Sequence, residues 1–485
     1  MRKPNLIGKL RAGLPAPIRS LFDQLIKLAD SRGLPVYLVG GPLRDLLLDR
    51  PSLDLDIAVE GDAPTLARQL AESLSREDKA GSAHPEALVG RAGTTSEPRV
   101  VTHPAFLTAT VRVPGFHLDL ITARSETYAR PGALPTVTPE TIEDDLRRRD
   151  FTINALALRL NSPWRVEILD PAGGRADLEA RLIRALHKRS FQDDATRILR
   201  AVQYASRFGF NVEPQTLRWL KRDLRYLRTI SGTRLHHEFS RIFAESAPEE
   251  ILHRLHDLGA LAAIDPTLRF DPPQADAFTR LRPDGWRSGR QLNTTGARAS
   301  YWPVLAWNLN EPQALDVSRR LAATKPQRKA LAAMPALQRL APNLAGPSLK
   351  RSAVAEPLAS FPLPALWAFS ALTDDPTVRE RLLDYLTKAR LERPHLTGDD
   401  LLALGLPSGP QLGEILRRLR NARLDGEATS REDEEHLARQ NDAEGRDCGD
   451  VWVNEQFLAL EFACFTCLRG ETADPTGEPP VGRGH

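Results

Sequence analysis

The sequence predicts an α+β protein: a small mixed sheet interleaved with helices at the N-terminal end, then an almost wholly helical remainder. Three observations carry this. Pro35–Val39 is a short apolar run that reads as a buried strand, and it ends at Gly40-Gly41 with a helix running through Leu48. Leu53–Val59 alternates acidic and apolar residues, the period of a strand with one wet face. After Thr141 apolar residues recur at helical spacing, over 176–189, 192–208, 214–226, 232–245 and 247–259, then 311–339, 364–389, 397–404, 409–424 and 430–445.

Between these markers, Gly61-Asp62-Ala63-Pro64 opens a helix to about Leu74, and strands are expected at Thr108–Val113 and His117–Ile121. Residues 75–98 are polar and rich in Gly, Ser and Thr, and read as a loop insertion. A Pro- and Gly-rich stretch at 265–295 reads as a boundary. The segment Phe457–Cys467 is apolar, and the Gly/Pro-rich tail after it has the composition of disorder.

A chain of 485 residues exceeds one ordinary core, so several domains are expected. With 66 Lys and Arg against 63 Asp and Glu, the net charge of +3 permits nucleic-acid binding without demanding it. Three cysteines, Cys448, Cys464 and Cys467, are too few for a disulfide framework and one short of a four-ligand zinc site. No apolar run is long enough for a signal peptide or a membrane span, and the expected location is the cytoplasm.

Asp54-Leu55-Asp56 is the centre of the functional reading. Residues two apart on a strand face the same way, so both carboxylates project together while Leu53, Leu55 and Ile57 face the core. Two adjacent anions are costly unless a cation sits between them, and a divalent metal is the natural one. On its own such a pair is more often a solvated edge strand. Here it follows a Gly40-Gly41 turn whose backbone N–H groups can approach a phosphate, and Arg44 lies one turn into the ensuing helix, within reach of the same anion.

Leu38-Val-Gly-Gly-Pro-Leu-Arg-Asp45 followed by Asp54-Leu-Asp56 resembles the first motif of the class II CCA-adding enzymes and bacterial poly(A) polymerases, within the polymerase-β-like nucleotidyltransferases. The resemblance implies that Asp54 and Asp56 are catalytic and hold Mg²⁺, and that Gly41 and Arg44 contact the nucleotide. Asp145-Leu-Arg-Arg-Arg-Asp-Phe-Thr-Ile-Asn-Ala155 is similar to the second motif, which implies nucleotide binding by Arg149 and recognition of the ribose 2′-hydroxyl by Asp150. Asp119, in His117-Leu-Asp119, is placed as a third acidic group or a structural one. Asp170-Pro-Ala-Gly-Gly-Arg-Ala-Asp177 resembles the third motif, expected to be a glycine turn and a capped helix start.

Asp193-Asp-Ala-Thr-Arg-Ile-Leu-Arg200 resembles the fourth motif, which adds Asp194, Arg197 and Arg200 to the nucleotide-binding set. Asp194 and Arg197, at i and i+3, are expected on one helix face. A carboxylate accepts from an exocyclic amino group and a guanidinium donates to the neighbouring ring nitrogen. Cytosine and adenine present that pair; guanine and uracil present a carbonyl and a ring N–H, leaving both side chains mispaired at roughly 1–3 kcal/mol per group. One protein pair can therefore select C and A without a template. This chain departs from the family pattern at Asp193 and Thr233, where Glu is customary, and at Gln203, where Arg is. His256-Asp257 lacks the companions of an HD phosphohydrolase.

Leu396–Pro410, Leu412–Leu416 and Ala422–Gly426 resemble the family's C-terminal, tRNA-contacting region, with Arg417, Arg418 and Arg420 as basic helix positions. The implied organisation is a catalytic head at 1–160, a helical neck at 161–262 for base selection and RNA binding, a helical body at 263–395, a tRNA-binding tail at 396–445 and an extension at 446–485. The implied partners are the tRNA 3′ end, ATP and CTP, with no membrane and no DNA. CCA, CC-only, A-only and poly(A) addition share the same motifs, and Ala123–Pro135 lies where these subtypes differ. A non-catalytic RNA-binding protein on the same scaffold is the reading from another class.

Overall fold

The computed structural model describes residues 6–50, 55–79, 98–113, 115–162, 168–282 and 294–447. Asp54, residues 80–97 of the expected 75–98 insertion, Cys448, Cys464, Cys467 and the 457–467 segment lie outside the described residues.

Strands β1 (Val36–Val39), β2 (Asp56–Val59), β3 (Arg99–His103), β4 (Thr108–Val113), β5 (Phe116–Thr122), β8 (Ala157–Arg159) and β9 (Ile168–Leu169) form one sheet in the order β3-β4-β5-β2-β1-β8-β9. Only the β2–β5 pairing in it is parallel. A parallel pair needs a crossover, and the helix Ala63–Lys79 supplies it, packing on β4 and β5 with Leu66, Ala67 and Leu70 buried. All four residues of β1 are buried, as its apolar run requires of a strand paired on both sides. Tyr37 and Val39 face a core that includes Ala58, Ile142, Leu146, Ala155 and Ala157. Strands β6 (Arg124–Thr127) and β7 (Thr136–Pro139) make a separate hairpin.

Past Thr141 the structure is not wholly helical. β8 and β9 extend the sheet, and β10 (Leu182–Ile183) pairs in parallel with β11 (Asn211–Val212). The helix expected over 176–189 is confined to Gly174–Glu179: Arg181 takes φ +56° and turns the chain into β10, so strand pairing overrides helical propensity. Asp170 accepts N–H bonds from Gly174 and Arg175, capping that helix after the left-handed Gly173. The run expected at 192–208 is two helices, Ser190–Asp193 and Thr196–Phe208.

The run 311–339 also splits, into Glu311–Arg320 and Lys325–Leu344. Ala322 sits at φ +47°, and Thr324 with Gln327 forms a capping box that starts the second helix. The run 364–389 breaks at Asp375, whose carboxylate caps Thr377 and Val378. Residues 75–79, read as loop, complete the crossover helix. The stretch 265–295 contains the helix Pro272–Leu281, whose Phe278 stacks on Tyr301 at 4.3 Å between ring centroids. The His256 ring accepts from the Phe270 N–H, a structural use. Arg320 donates to the carbonyls of Leu227, Ile230 and Ile264 and ties its helix back to that turn.

Chain contacts divide the molecule at Leu391/Glu392. In the second unit, Leu396, Leu401, Leu406, Ile415, Leu419 and Ala438 form a small core. Buried Glu434 accepts from the N–H groups of His395 and Leu396 and pairs with Arg423. Arg417 and Arg418 both pair with Glu414 of their own helix. No helix among the described residues is long and apolar enough to cross a membrane.

A Cβ at Gly174 would lie 2.1 Å from the Thr152 carbonyl oxygen. Gly174→Ala should therefore destabilise by about 1–3 kcal/mol, read as a lowered urea midpoint at unchanged slope.

Candidate active site

The β1–helix turn forms because Gly40 adopts φ +68°, which a side chain would strain, and because a Cβ there would meet the Arg149 guanidinium at 2.7 Å. The helix Gly40–Leu47 then carries Arg44, 3% exposed. Its guanidinium donates to Asn154 Oδ1 (2.7 Å) and Asp45 (2.9 Å) and lies over the Phe208 ring, 4.5 Å from the centroid. It opens on a cavity of about 800 Å³. Gly41, Arg44, Asp56, Arg149, Asp150, Asp194, Arg197 and Arg200, the described residues of the expected site, all line that cavity.

Asp56 begins β2 and is the direct register partner of Asp119 on β5. Register partners project to the same face, so two carboxylates stand side by side at the cavity wall. Thr110 Oγ1 donates to Asp119 at 2.6 Å. Carboxylate oxygens in this number suit a hard divalent cation that keeps part of its shell for phosphate and water. Asp56 and Asp119 supply ligands of the right kind for such an ion, although among the described residues no third His, Cys, Asp or Glu completes a metal-holding group with them.

The second motif forms the cationic wall. Asp145 is completely buried and shared by two arginines, Arg148 at 2.6 Å and Arg149 at 2.8 Å. Burial alone would raise its carboxyl, but Arg149 and Arg148 outweigh that and hold it below the usual carboxylate range. Arg148 also pairs with Glu126 of β6 at 2.6 Å. Asp150 accepts from the Phe151 N–H (2.8 Å) and Asn154 Nδ2 (3.0 Å) and pairs with Arg200 at 2.7 Å. Against burial, Arg200 and the Asn154 bond again pull the carboxyl down.

Asp194 and Arg197 do reach one cavity, but not as residues of one helix face. Asp194 is extended (φ −142°, ψ 101°) and precedes the helix, its carboxylate accepting from the Thr196 N–H (3.0 Å) and hydroxyl (2.7 Å). A short acceptor side chain competes with helical hydrogen bonding in this way. Arg234 pairs with it at 2.6 Å. Arg197 is buried and donates to Ser190 Oγ (2.8 Å) and to the Arg148 carbonyl (2.7 Å). Gln203 donates to Glu245 at 2.6 Å, and Arg207 binds the same carboxylate.

Sequence reasoning left several wall residues unassigned. Asn154 links Arg44 to Asp150, and Tyr204 accepts from Arg200 at 3.0 Å while stacking near Phe208. The signal was present: Arg200, Tyr204 and Arg207 follow each other at helical spacing. Glu126 and Tyr128, from the β6 hairpin, lay within a segment read only as a variable loop.

Residues 36–184 match the Poly A polymerase head domain, and 209–270 match the family described as a probable RNA and SrmB-binding site of polymerase A. The A-adding tRNA nucleotidyltransferase of Halalkalibacterium halodurans is 31% identical over 447 residues, 90% of this chain and 95% of that protein. The A-adding enzyme of Geobacter sulfurreducens is 32% identical over 90% of this chain, which spans about half (48%) of its length. The solved structure of the Thermotoga maritima CCA-adding enzyme complexed with tRNA(CCA) aligns with a TM-score of 0.65 and 28% identity, covering 90% of this chain and 98% of that one.

Asp145 and Asp150 titrate below their unfolded values, so the stability they add is present above the unfolded pKa, about 3.9, and is lost as pH falls below it. Asp145→Asn should cost on the order of 3 kcal/mol at pH 7 by stranding buried guanidinium charge. In urea titrations its gap to the parent should narrow below about pH 4.

Proposed function

The chain belongs to the class II family of CCA-adding tRNA nucleotidyltransferases, and we propose that it joins CMP and AMP units from CTP and ATP to the 3′ end of tRNA. The observation that carries this is one cavity lined by the Asp56 and Asp119 carboxylates and by the guanidinium groups of Arg44, Arg149, Arg197 and Arg200. The cavity, about 800 Å³, has room for a nucleoside triphosphate.

In the proposed reaction the RNA 3′-hydroxyl gives up its proton to solvent, its oxygen bonds to the α-phosphorus in line, the α–β phosphoanhydride bond breaks, and pyrophosphate leaves. Asp54 and Asp56 are the proposed ligands of a divalent ion, Mg²⁺, with Asp119 beside them. When bound, such an ion neutralises developing charge and lowers the pKa of the attacking hydroxyl. The protein's own side chains position the triphosphate. Gly41 admits it to the backbone, and Arg44 and Arg149 face its phosphates. Asp150, oriented by Asn154 and Arg200, is placed for the ribose 2′-hydroxyl.

Base choice is assigned to Asp194 and Arg197. Ser190 and the Arg148 carbonyl fix the Arg197 guanidinium, and Arg234 and Thr196 orient the Asp194 carboxylate. A fixed acceptor and a fixed donor match the amino group and ring nitrogen of cytosine or adenine and mismatch guanine and uracil. The proposed division of labour is a head (1–160), a base-selecting neck (161–262), a body (263–395) and a tRNA-binding tail (396–445), in a cytoplasmic protein that uses neither DNA nor membrane.

A-only addition is the second reading, favoured by the names of the two relatives described above. Transcripts ending before CCA, after C and after CC, each given CTP, ATP or both, discriminate. Growth to CCA and arrest supports the first reading; ATP use on the CC end alone supports the second. ATP ladders on any RNA would indicate a poly(A) polymerase, and no extension would sink the catalytic reading.

Asp56→Asn should reduce single-turnover incorporation by about 100- to 1,000-fold. Arg197→Ala should lower the discrimination of ATP over GTP by roughly 5- to 100-fold, measured as the ratio of kcat/KM values, since it deletes a base-directed donor.

A further inference from the structure

Away from the nucleotide cavity, the seam between the segments 227–236 and 320–329 brings two groups of cations together. Arg320 donates to the carbonyls of Leu227 (2.8 Å), Arg228 (3.4 Å) and Ile230 (2.8 Å). A Cβ at Gly232 would lie 2.7 Å from the Arg320 carbonyl oxygen, so the two backbones touch. Further along, Gln327 binds the His236 ring at 2.9 Å, and that ring stacks on Trp302 with centroids 4.7 Å apart. Arg228 stands on one side of this seam. On the other, the helix Lys325–Leu344 opens with Lys325, Arg328 and Lys329. All four cations are exposed, and among the described residues none of their side chains has an ion-pair partner.

Local stability does not account for these charges. Lys325, Arg328 and Lys329 share a face at i, i+3 and i+4, at the end of a 20-residue helix where the dipole favours anions. That helix holds no Asp or Glu along its length. The capping box of Thr324 and Gln327 already serves its start, which the cations therefore do not stabilise. Neither segment exposes a Leu, Ile, Phe, Tyr or Trp. Such side chains anchor protein partners, and stacked rings anchor an unpaired strand. A surface of charge alone fits the phosphate backbone of a paired RNA stem, whose bases are turned inward.

The helix Gly232–Ile242 fixes where such a stem lies. Arg234 reaches Asp194 on one side at 2.6 Å. His236, two residues on and so about 200° round the helix, reaches Gln327 on the other. The start of the Lys325–Leu344 helix is thus separated from the proposed base-reading carboxylate by the width of one helix, ~10 Å. We propose that Arg228, Lys325, Arg328 and Lys329 form a rail that grips the phosphate backbone of a base-paired RNA stem just behind the reactive 3′ end. The proposal rests on the transferase reading above and gives the segment 263–395 a part in holding the RNA. The unpaired end passes the Gly232–Ile242 helix into the cavity, and the paired stem stays outside.

The test uses the full chain and two RNA probes with the same unpaired 3′ tail: a hairpin with a paired stem, and a single strand of equal length without one. Lys325→Gln, Arg328→Gln and Lys329→Gln combined should raise the hairpin Kd roughly 10- to 100-fold and lower the slope of log affinity against log salt by about 3, one per cation. Arg228→Gln alone should lower that slope by about 1. Affinity for the single strand should stay within about 2-fold of the parent. The triple variant should unfold at an equal or higher urea concentration, since it removes cations from a helix N-terminus, so weaker hairpin binding is not a folding defect. Arg328→Lys, which keeps the charge, should keep the parent slope. An unchanged hairpin Kd and slope in the triple variant overturns the proposal. Equal weakening of both probes also overturns it, because the surface would then bind RNA without regard to pairing. Absence of extension of the hairpin by the parent, with CTP and ATP supplied, overturns the transferase reading and this proposal with it, whereas extension with unchanged hairpin binding overturns the proposal alone.

Discussion

The site depends on how a crowd of guanidinium groups is held together before any phosphate arrives. Arg44, Arg148, Arg149, Arg197 and Arg200 line one cavity, and their mutual repulsion in a partly dry space would scatter them. Two buried carboxylates prevent this. Asp145 clamps Arg148 and Arg149, and Asp150 holds Arg200 and, through Asn154, Arg44. The clamp also crosses the chain: Arg197 of a later helix donates to the Arg148 carbonyl. The backbone beside the proposed phosphate-binding Arg149 therefore receives a bond from Arg197, the side chain proposed to read the base. Positions separated widely in sequence are set by one hydrogen-bonded web.

That web explains what was legible in the sequence. Chemistry concentrated in short strings was readable: the Gly40-Gly41 turn, the Asp56 strand and the Arg149-Asp150 pair each carry their meaning locally. Their convergence on one cavity followed from the family resemblance. The neutral connectors escaped notice, because the role of Asn154 or Tyr204 exists only through partners brought close by the fold. Asp194 is instructive. The i, i+3 spacing from Arg197 placed both on a helix, yet the Asp194 carboxylate caps the Thr196 N–H and leaves its own backbone extended. Sequence spacing anticipated the neighbourhood, and local hydrogen bonding decided the geometry.

Fold legibility followed the same rule. β1, β4 and most helical segments were evident from apolar period alone, since burial on a fixed face writes itself into the pattern. β9, β10 and β11 are two residues each and too short to show a period. They exist because a pairing partner is available. The splits at Ala322 and Asp375 were signalled by Thr324 and by Asp375-Pro376, cap signatures inside longer amphipathic runs.

The pairing of β1 bears on the order in which the protein can come into being. Leu38 aligns with Leu158 on one side and Ile57 on the other, while Arg44 needs Asn154 and, beneath it, Phe208. During synthesis the strand that positions the glycine turn emerges long before its second neighbour. At roughly 5–20 residues per second that interval lasts many seconds. Through it the Gly40–Leu47 helix lacks the aromatic floor under its arginine. The proposed triphosphate site is thus incomplete in a nascent chain until the Thr196–Phe208 helix has left the ribosome.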